Sequence, residues 1–155
     1  MEALEKLERN RSDGVVVVRP ASETMSRQRL TCYVGISEAT AGAKNISMNL
    51  IVIPPASVAK PHLHKGYETA IYLLKGSVET RYGHNLERSI VSQEADLILI
   101  KPDVPHQPVN LDPKEAALAI VHATIPTSRR ALCTMARRTD RRSSARFQFP
   151  ELRTS

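Results

Sequence analysis

Tryptophan is missing from this chain, and tyrosine and phenylalanine together supply six of its 155 residues. Without ring platforms on which bases can stack, an aromatic-lined binder of single-stranded nucleic acid is excluded. Cysteine is almost as scarce. Cys32 and Cys133 form no CxxC pair, so neither a zinc knuckle nor a dithiol redox motif can be read, and both are expected as free thiols. No GxSxG, P-loop or GxGxxG pattern is present, which leaves serine hydrolase, NTPase and Rossmann chemistry without support. Apolar runs stay far below the roughly 20 residues of a membrane span. The opening segment MEALEKLERN alternates charge and lacks the apolar stretch of a signal peptide. The expectation is a soluble cytoplasmic protein with no membrane partner.

Charge of one sign is in excess, but only at one end. The net charge is +6. Residues 127–155 carry eight arginines against Asp140 and Glu151, so residues 1–126 balance 14 basic with 14 acidic side chains. A basic tail on a neutral body is a weak electrostatic footprint, and a nucleic-acid partner is not favoured. Three regions follow: an amphipathic helical arm over 1–14, carried by Leu4 and Leu7; a body over 15–126; and an arginine-rich tail over 127–155, flexible or loosely docked, with a short helix conceivable at 131–138.

The body is rich in short β-branched runs. VVVVRP (15–20), TCYVGIS (31–37), ISMNLIVIP (46–54), TAIYLLK (69–75), SVETRYG (77–83), ADLILIK (95–101) and ALAIVHATI (117–125) all read as strands. Turn-forming stretches such as PPASVAKP, YGHN and KPDVP separate them. Such a pattern predicts an all-β sandwich, jelly roll or barrel.

Histidine is concentrated where chemistry would need it. In the stretch PHLHKGYE, His62 and His64 are two apart, so on a strand their imidazoles share a face. Glu68 follows four residues later and can supply a carboxylate. His106, in KPDVPHQPVN, is the natural further ligand, its approach stiffened by Pro102 and Pro105. Three imidazoles and one carboxylate suit a transition metal rather than magnesium or calcium. His84 sits in a turn and reads as a solvated loop residue. His122, in a strand, is either a core histidine or a pocket acid/base.

These two segments resemble the paired motifs of the cupins. The first motif is HxH, three or four residues, glutamate, then a hairpin glycine, and stands here as HLHKGYETAIYLLKG with His62, His64, Glu68 and Gly76. The second stands as ADLILIKPDVPHQPVN, with His106 and Asn110. Ala95, Lys101 and Asp103 depart from the usual glycine, proline and glycine, all at turn positions. The resemblance covers residues 45–125. It implies a double-stranded β-helix, one divalent transition metal held by His62, His64, Glu68 and His106, and a homodimer. Iron or manganese is favoured, with nickel, copper or zinc as alternatives.

Four protein ligands leave one or two coordination positions open, the arrangement of a catalytic site. Asn110 and Gln107 are candidates to orient the ligating histidines. Glu68, His122, Tyr72 and Gln107 are the candidate catalytic residues. The resulting expectation is a metal-dependent oxidoreductase, such as a dioxygenase, acting on a small organic molecule. A non-redox isomerase, cyclase or lyase is the alternative, as is a non-catalytic metal- or ligand-binding module. Cupin thiol dioxygenases resemble this site but lack the glutamate, so Glu68 argues against them.

Overall fold

The computed structural model describes residues 11–12, 14–20, 23–26 and 29–124. Residues 1–10 of the helical arm expected over 1–14, and the arginine-rich tail with Cys133, lie outside the described residues; Arg11–Ser12 of that arm is strand.

Eleven strands are formed among the described residues: β1 (Arg11–Ser12), β2 (Val15–Val16), β3 (Glu23–Met25), β4 (Thr31–Ile36), β5 (Ile46–Ile53), β6 (Thr69–Lys75), β7 (Ser77–Tyr82), β8 (Arg88–Gln93), β9 (Leu97–Ile100), β10 (His106–Asn110) and β11 (Ala117–Thr124). A single turn of helix, α1 (Glu38–Ala41), is closed by a capping box in which Ser37 and Thr40 exchange hydrogen bonds and is stopped by Gly42 in the left-handed conformation. No described helix is long and apolar enough to cross a membrane.

Two antiparallel sheets build the barrel. One runs β3-β4-β5-β11-β6-β9 and the other β10-β7-β8, with β1-β2 as a separate pair. This is the double-stranded β-helix expected from the sequence. The pleat assigns faces by alternation. Leu73 and Ile71 of β6, Ile51 and Ile53 of β5 and Ala117 and Ala119 of β11 turn inward and pack with Leu30 and Val78. The alanines matter for function: β11 is flanked by β5 and β6 in the large sheet, and its small inward side chains leave room beneath it.

Gly76, at φ +93°, carries the chain from β6 into β7, and a Cβ there would meet the Ala117 side chain at 3.0 Å. Two of the departures from the family pattern also have left-handed backbone: Ala95 (φ 73°) and Asp103 (φ 62°). Asp103 tolerates this because its Oδ1 accepts from Gly66 N at 3.2 Å. Ala95 has no such compensation. Ala95→Gly is therefore expected to raise stability by about 0.5–1 kcal/mol, read as a shift in urea midpoint without a change in slope.

Four strands, β1, β3, β8 and β10, were not legible from the sequence. β8 (RSIVSQ) is an exposed edge with one buried residue, Ser92. β10 (HQPVN) contains Pro108, tolerated because β10 is the edge of its sheet. Conversely, of the VVVVRP run only Val15–Val16 is strand. Cys32 is completely buried and disulfide-bonded, so it is not the free thiol expected. The expected cytoplasmic location therefore draws no support from this cysteine.

Candidate metal centre

His62 and His106 are fixed to each other through their backbones. His62 N donates to His106 O at 3.0 Å and His106 N to His62 O at 2.8 Å, an isolated antiparallel bridge. Asp103 N donates to His64 O at 2.9 Å, which ties the second motif's loop to the HxH segment. Chain segments about 40 positions apart thus deliver three imidazoles to one place. Ring centroids are 4.2 Å apart for His62–His106, 4.9 Å for His64–His106 and 5.3 Å for His62–His64. Candidate ligand atoms of the three lie within 4.8 Å of one another.

Each ring is oriented through its Nδ1. His62 Nδ1 donates to Lys60 O and His106 Nδ1 to Val104 O, both at 2.9 Å. A carbonyl can only accept, so both rings carry the proton on Nδ1 and a lone pair on Nε2. His64 Nδ1 is held by the Thr69 hydroxyl at 2.5 Å, and the ring stacks on Tyr67 at 5.2 Å between centroids. The Nε2 of His64 is buried and has no hydrogen-bond partner among the described residues. An orphaned buried nitrogen is costly unless something binds it. A metal ion, satisfied by neutral imidazole lone pairs, fits these residues.

Burial keeps the cluster neutral. Desolvation lowers the His64 pKa to about 3, with repulsion from His106 and His62 adding to it. His106 is lowered to about 4 by desolvation and by His62, and His62 is lowered by desolvation. In the unfolded chain all three would protonate near pH 6.5. Below that pH the unfolded state binds more protons than the folded one, so lowering pH destabilises the fold until about pH 4 and then about pH 3, where the folded rings titrate. Metal-free protein is thus expected to melt at lower temperature at pH 5 than at pH 7.5. Much of this difference should vanish in a His64→Gln/His106→Gln double variant. Equal melting of the metal-free protein at the two pH values would contradict the assignment.

The remaining candidates from the sequence are placed elsewhere. Glu68 is exposed, just ahead of β6, and is not among the clustered residues. The reason is phase: Leu73, Ile71 and Thr69 share the inward face of β6, so Thr69 enters the site and Glu68, one position off, does not. Tyr72 lies on the outward face of β6 and is 40% exposed. His122 lies on the outward face of β11, opposite Met48 and Ala70, not in the cavity. Gln107 does not line the cavity either; its Nε2 donates to Ala59 O at 2.8 Å. Asn110 is buried but serves no histidine. Its Nδ2 donates to Ile53 O, Pro54 O and Glu115 O, and its Oδ1 accepts from Asp112 N.

Above the three histidines lies a cavity walled by apolar side chains, including Ile51, Ile71, Ile98, Ile100 and Val121, with Ser26, Asn49 and Thr80 as polar exceptions. Thr69, Tyr67 and Asn49 were the residues that sequence reasoning passed over. Counting the β6 alternation back from Leu73 would have found Thr69.

Residues 49–122 match the family model for the cupin domain. These 74 of the chain's 155 residues form a cupin domain. Several solved structures share its fold. A predicted oxalate decarboxylase from Thermotoga maritima is 17% identical, with a TM-score of 0.58 over 72% of this chain and 99% of that one. The polyketide cyclase RemF from Streptomyces resistomycificus is 23% identical, with a TM-score of 0.55 over 74% and 78% of the two chains. The cupin domain of Schizosaccharomyces pombe Cnp3 is 13% identical, with a TM-score of 0.55 over 66% and 69%. At these identities the likeness concerns the fold alone. Among curated proteins no sequence matches this chain.

Proposed function

We propose that this cupin is a metal-dependent oxidoreductase of the dioxygenase kind, acting on a small organic molecule held in the cavity above His62, His64 and His106. The observation that carries the reading is the unpartnered His64 Nε2, buried beside two other neutral imidazoles at an apolar cavity. A divalent transition metal held by these three side chains would retain open positions and supply oxygen or substrate activation. The protein's own residues orient the rings through Lys60 O, Val104 O and Thr69, while the apolar wall excludes water.

The cavity wall also bears on the choice between redox and redox-neutral chemistry. Among the described residues lining it, the only titratable side chains are the three histidines. Many isomerases, cyclases and lyases use a positioned proton acceptor, and among the described lining residues none stands there apart from the ligands themselves. The names of the oxalate decarboxylase and the polyketide cyclase among the similar folds keep the redox-neutral reading as the second one. The objection to a thiol dioxygenase, which rested on Glu68, lapses with that residue outside the cluster.

Oxygen consumption separates these readings. Iron-loaded protein screened against catechols, thiols and enolisable ketones should consume dioxygen with one of these classes and not after His106→Ala. Conversion of a substrate without oxygen uptake would replace the oxidoreductase reading by the redox-neutral one. The homodimer is likewise proposed, supported by the outward apolar patch of Tyr72, Leu74, Leu97 and Leu99 on neighbouring strands β6 and β9. Sedimentation of a Leu97→Lys/Leu99→Lys variant as a monomer, against a dimeric parent, is the expected result.

A further inference from the structure

Ser47 and Asn49 interrupt an inward face of β5 that Ile51 and Ile53 otherwise keep apolar. Asn49 is only 2% exposed and lies in the wall of the same cavity as the three histidines. Its Oδ1 accepts a hydrogen bond from Gly35 N at 3.2 Å. A backbone N–H can only donate, so this contact fixes which end of the amide is oxygen. The other end, Nδ2, is buried and has no hydrogen-bond partner among the described residues.

The wall around this amide carries no counter-charge: no Asp, Glu, Lys or Arg appears among the described residues lining the cavity. An anionic group placed away from the metal would be stripped of water with nothing to offset it. An apolar body gains from the aliphatic wall. A neutral oxygen at the right place gains an amide donor that is otherwise left unpaired. A site built to hydrogen-bond a particular oxygen discriminates strongly against analogues that lack it.

We infer that Asn49 is the specificity-determining residue of the cavity, its Nδ2 donating to an uncharged acceptor oxygen of an otherwise apolar small molecule whose other end meets the three-histidine centre. The substrate class is therefore a compact, largely apolar compound with a metal-binding head and a second, neutral oxygen function. This rests on the metal-centre reading above.

The test uses full-length protein loaded with Zn2+, which is redox-inert, and two probes of similar size. Both 4-nitrocatechol and 4-methylcatechol offer a diol to the metal, but only the nitro compound carries acceptor oxygens at the far end. Calorimetric titration of Asn49→Leu is expected to show 4-nitrocatechol weakened about tenfold and 4-methylcatechol changed less than twofold, with zinc content unaltered. Asn49→Asp, which keeps an acceptor for Gly35 N but loses the donor, should behave in the same way. Equal losses for both probes, or none for either, in zinc-loaded protein would overturn this inference alone. Wild-type protein that takes up no zinc would overturn the metal-centre reading, and this inference with it.

Discussion

Replacing His64 by alanine is expected to abolish stoichiometric metal binding, and replacing Glu68 by glutamine to leave it unchanged. The contrast follows from how each side chain is placed. His64 is 4% exposed, its Nδ1 is engaged by Thr69, and its Nε2 has no partner but whatever occupies the centre. Removing it deletes one of three ligands, so the loss should exceed the roughly 10–100-fold that removal of a supporting partner costs. Thr69→Val supplies that smaller loss, because it keeps the ring but frees its orientation. Glu68 is exposed and outside the cluster. Competition titrations with a chromophoric chelator should rank affinities as wild type and Glu68→Gln together, then Thr69→Val, then His64→Ala. His64→Gln, folded as judged by circular dichroism, guards against loss by unfolding. Metal lost on Glu68→Gln with Thr69→Val unaffected would restore the carboxylate as a ligand.

Asn110→Ala is expected to cost about 3–5 kcal/mol of folding stability, with a fall in melting temperature on the order of 10 °C. This side chain is 1% exposed and joins three carbonyls from two separate segments, Ile53 and Pro54 at the end of β5 and Glu115 ahead of β11. Its loss leaves buried acceptors without donors and a cavity besides. Asn110→Asp retains the acceptor for Asp112 N but no amide donors, so it should be nearly as damaging. Thermal melts of metal-free protein isolate this effect from the metal. If Asn110 instead supported the histidines, as its position in the second motif suggests, metal affinity would fall further than stability.

Both results bear on how far the sequence can be read. The strands with β-branched runs, β4 to β7, β9 and β11, are legible because alternation against a core demands those residues. β8 and β10 are not, since an exposed edge and a proline-bearing edge need no such signature. The three histidines are legible because two separated motifs converge on one metal chemistry. The fourth position is not, because a strand's phase is unknown until a buried neighbour anchors it. One residue of slip exchanges Glu68 for Thr69. The same uncertainty of face placed Tyr72 and His122 in the pocket, whereas the pairing of β11 with β5 and β6 turns both outward. Asn49 carried a usable signal, a polar residue in phase with Ile51 and Ile53. Asn110 carried a misleading one, since an asparagine four residues from a ligand suggests support for the metal rather than a clamp between loops.

The most direct test of the three-histidine centre is the metal content of the purified protein after incubation with Fe2+, Mn2+, Ni2+ or Zn2+ and removal of excess. One ion per chain, retained at pH 7.5 and absent from His64→Ala and His106→Ala, is the result expected. Folded wild-type protein that retains no ion of any of the four would contradict it.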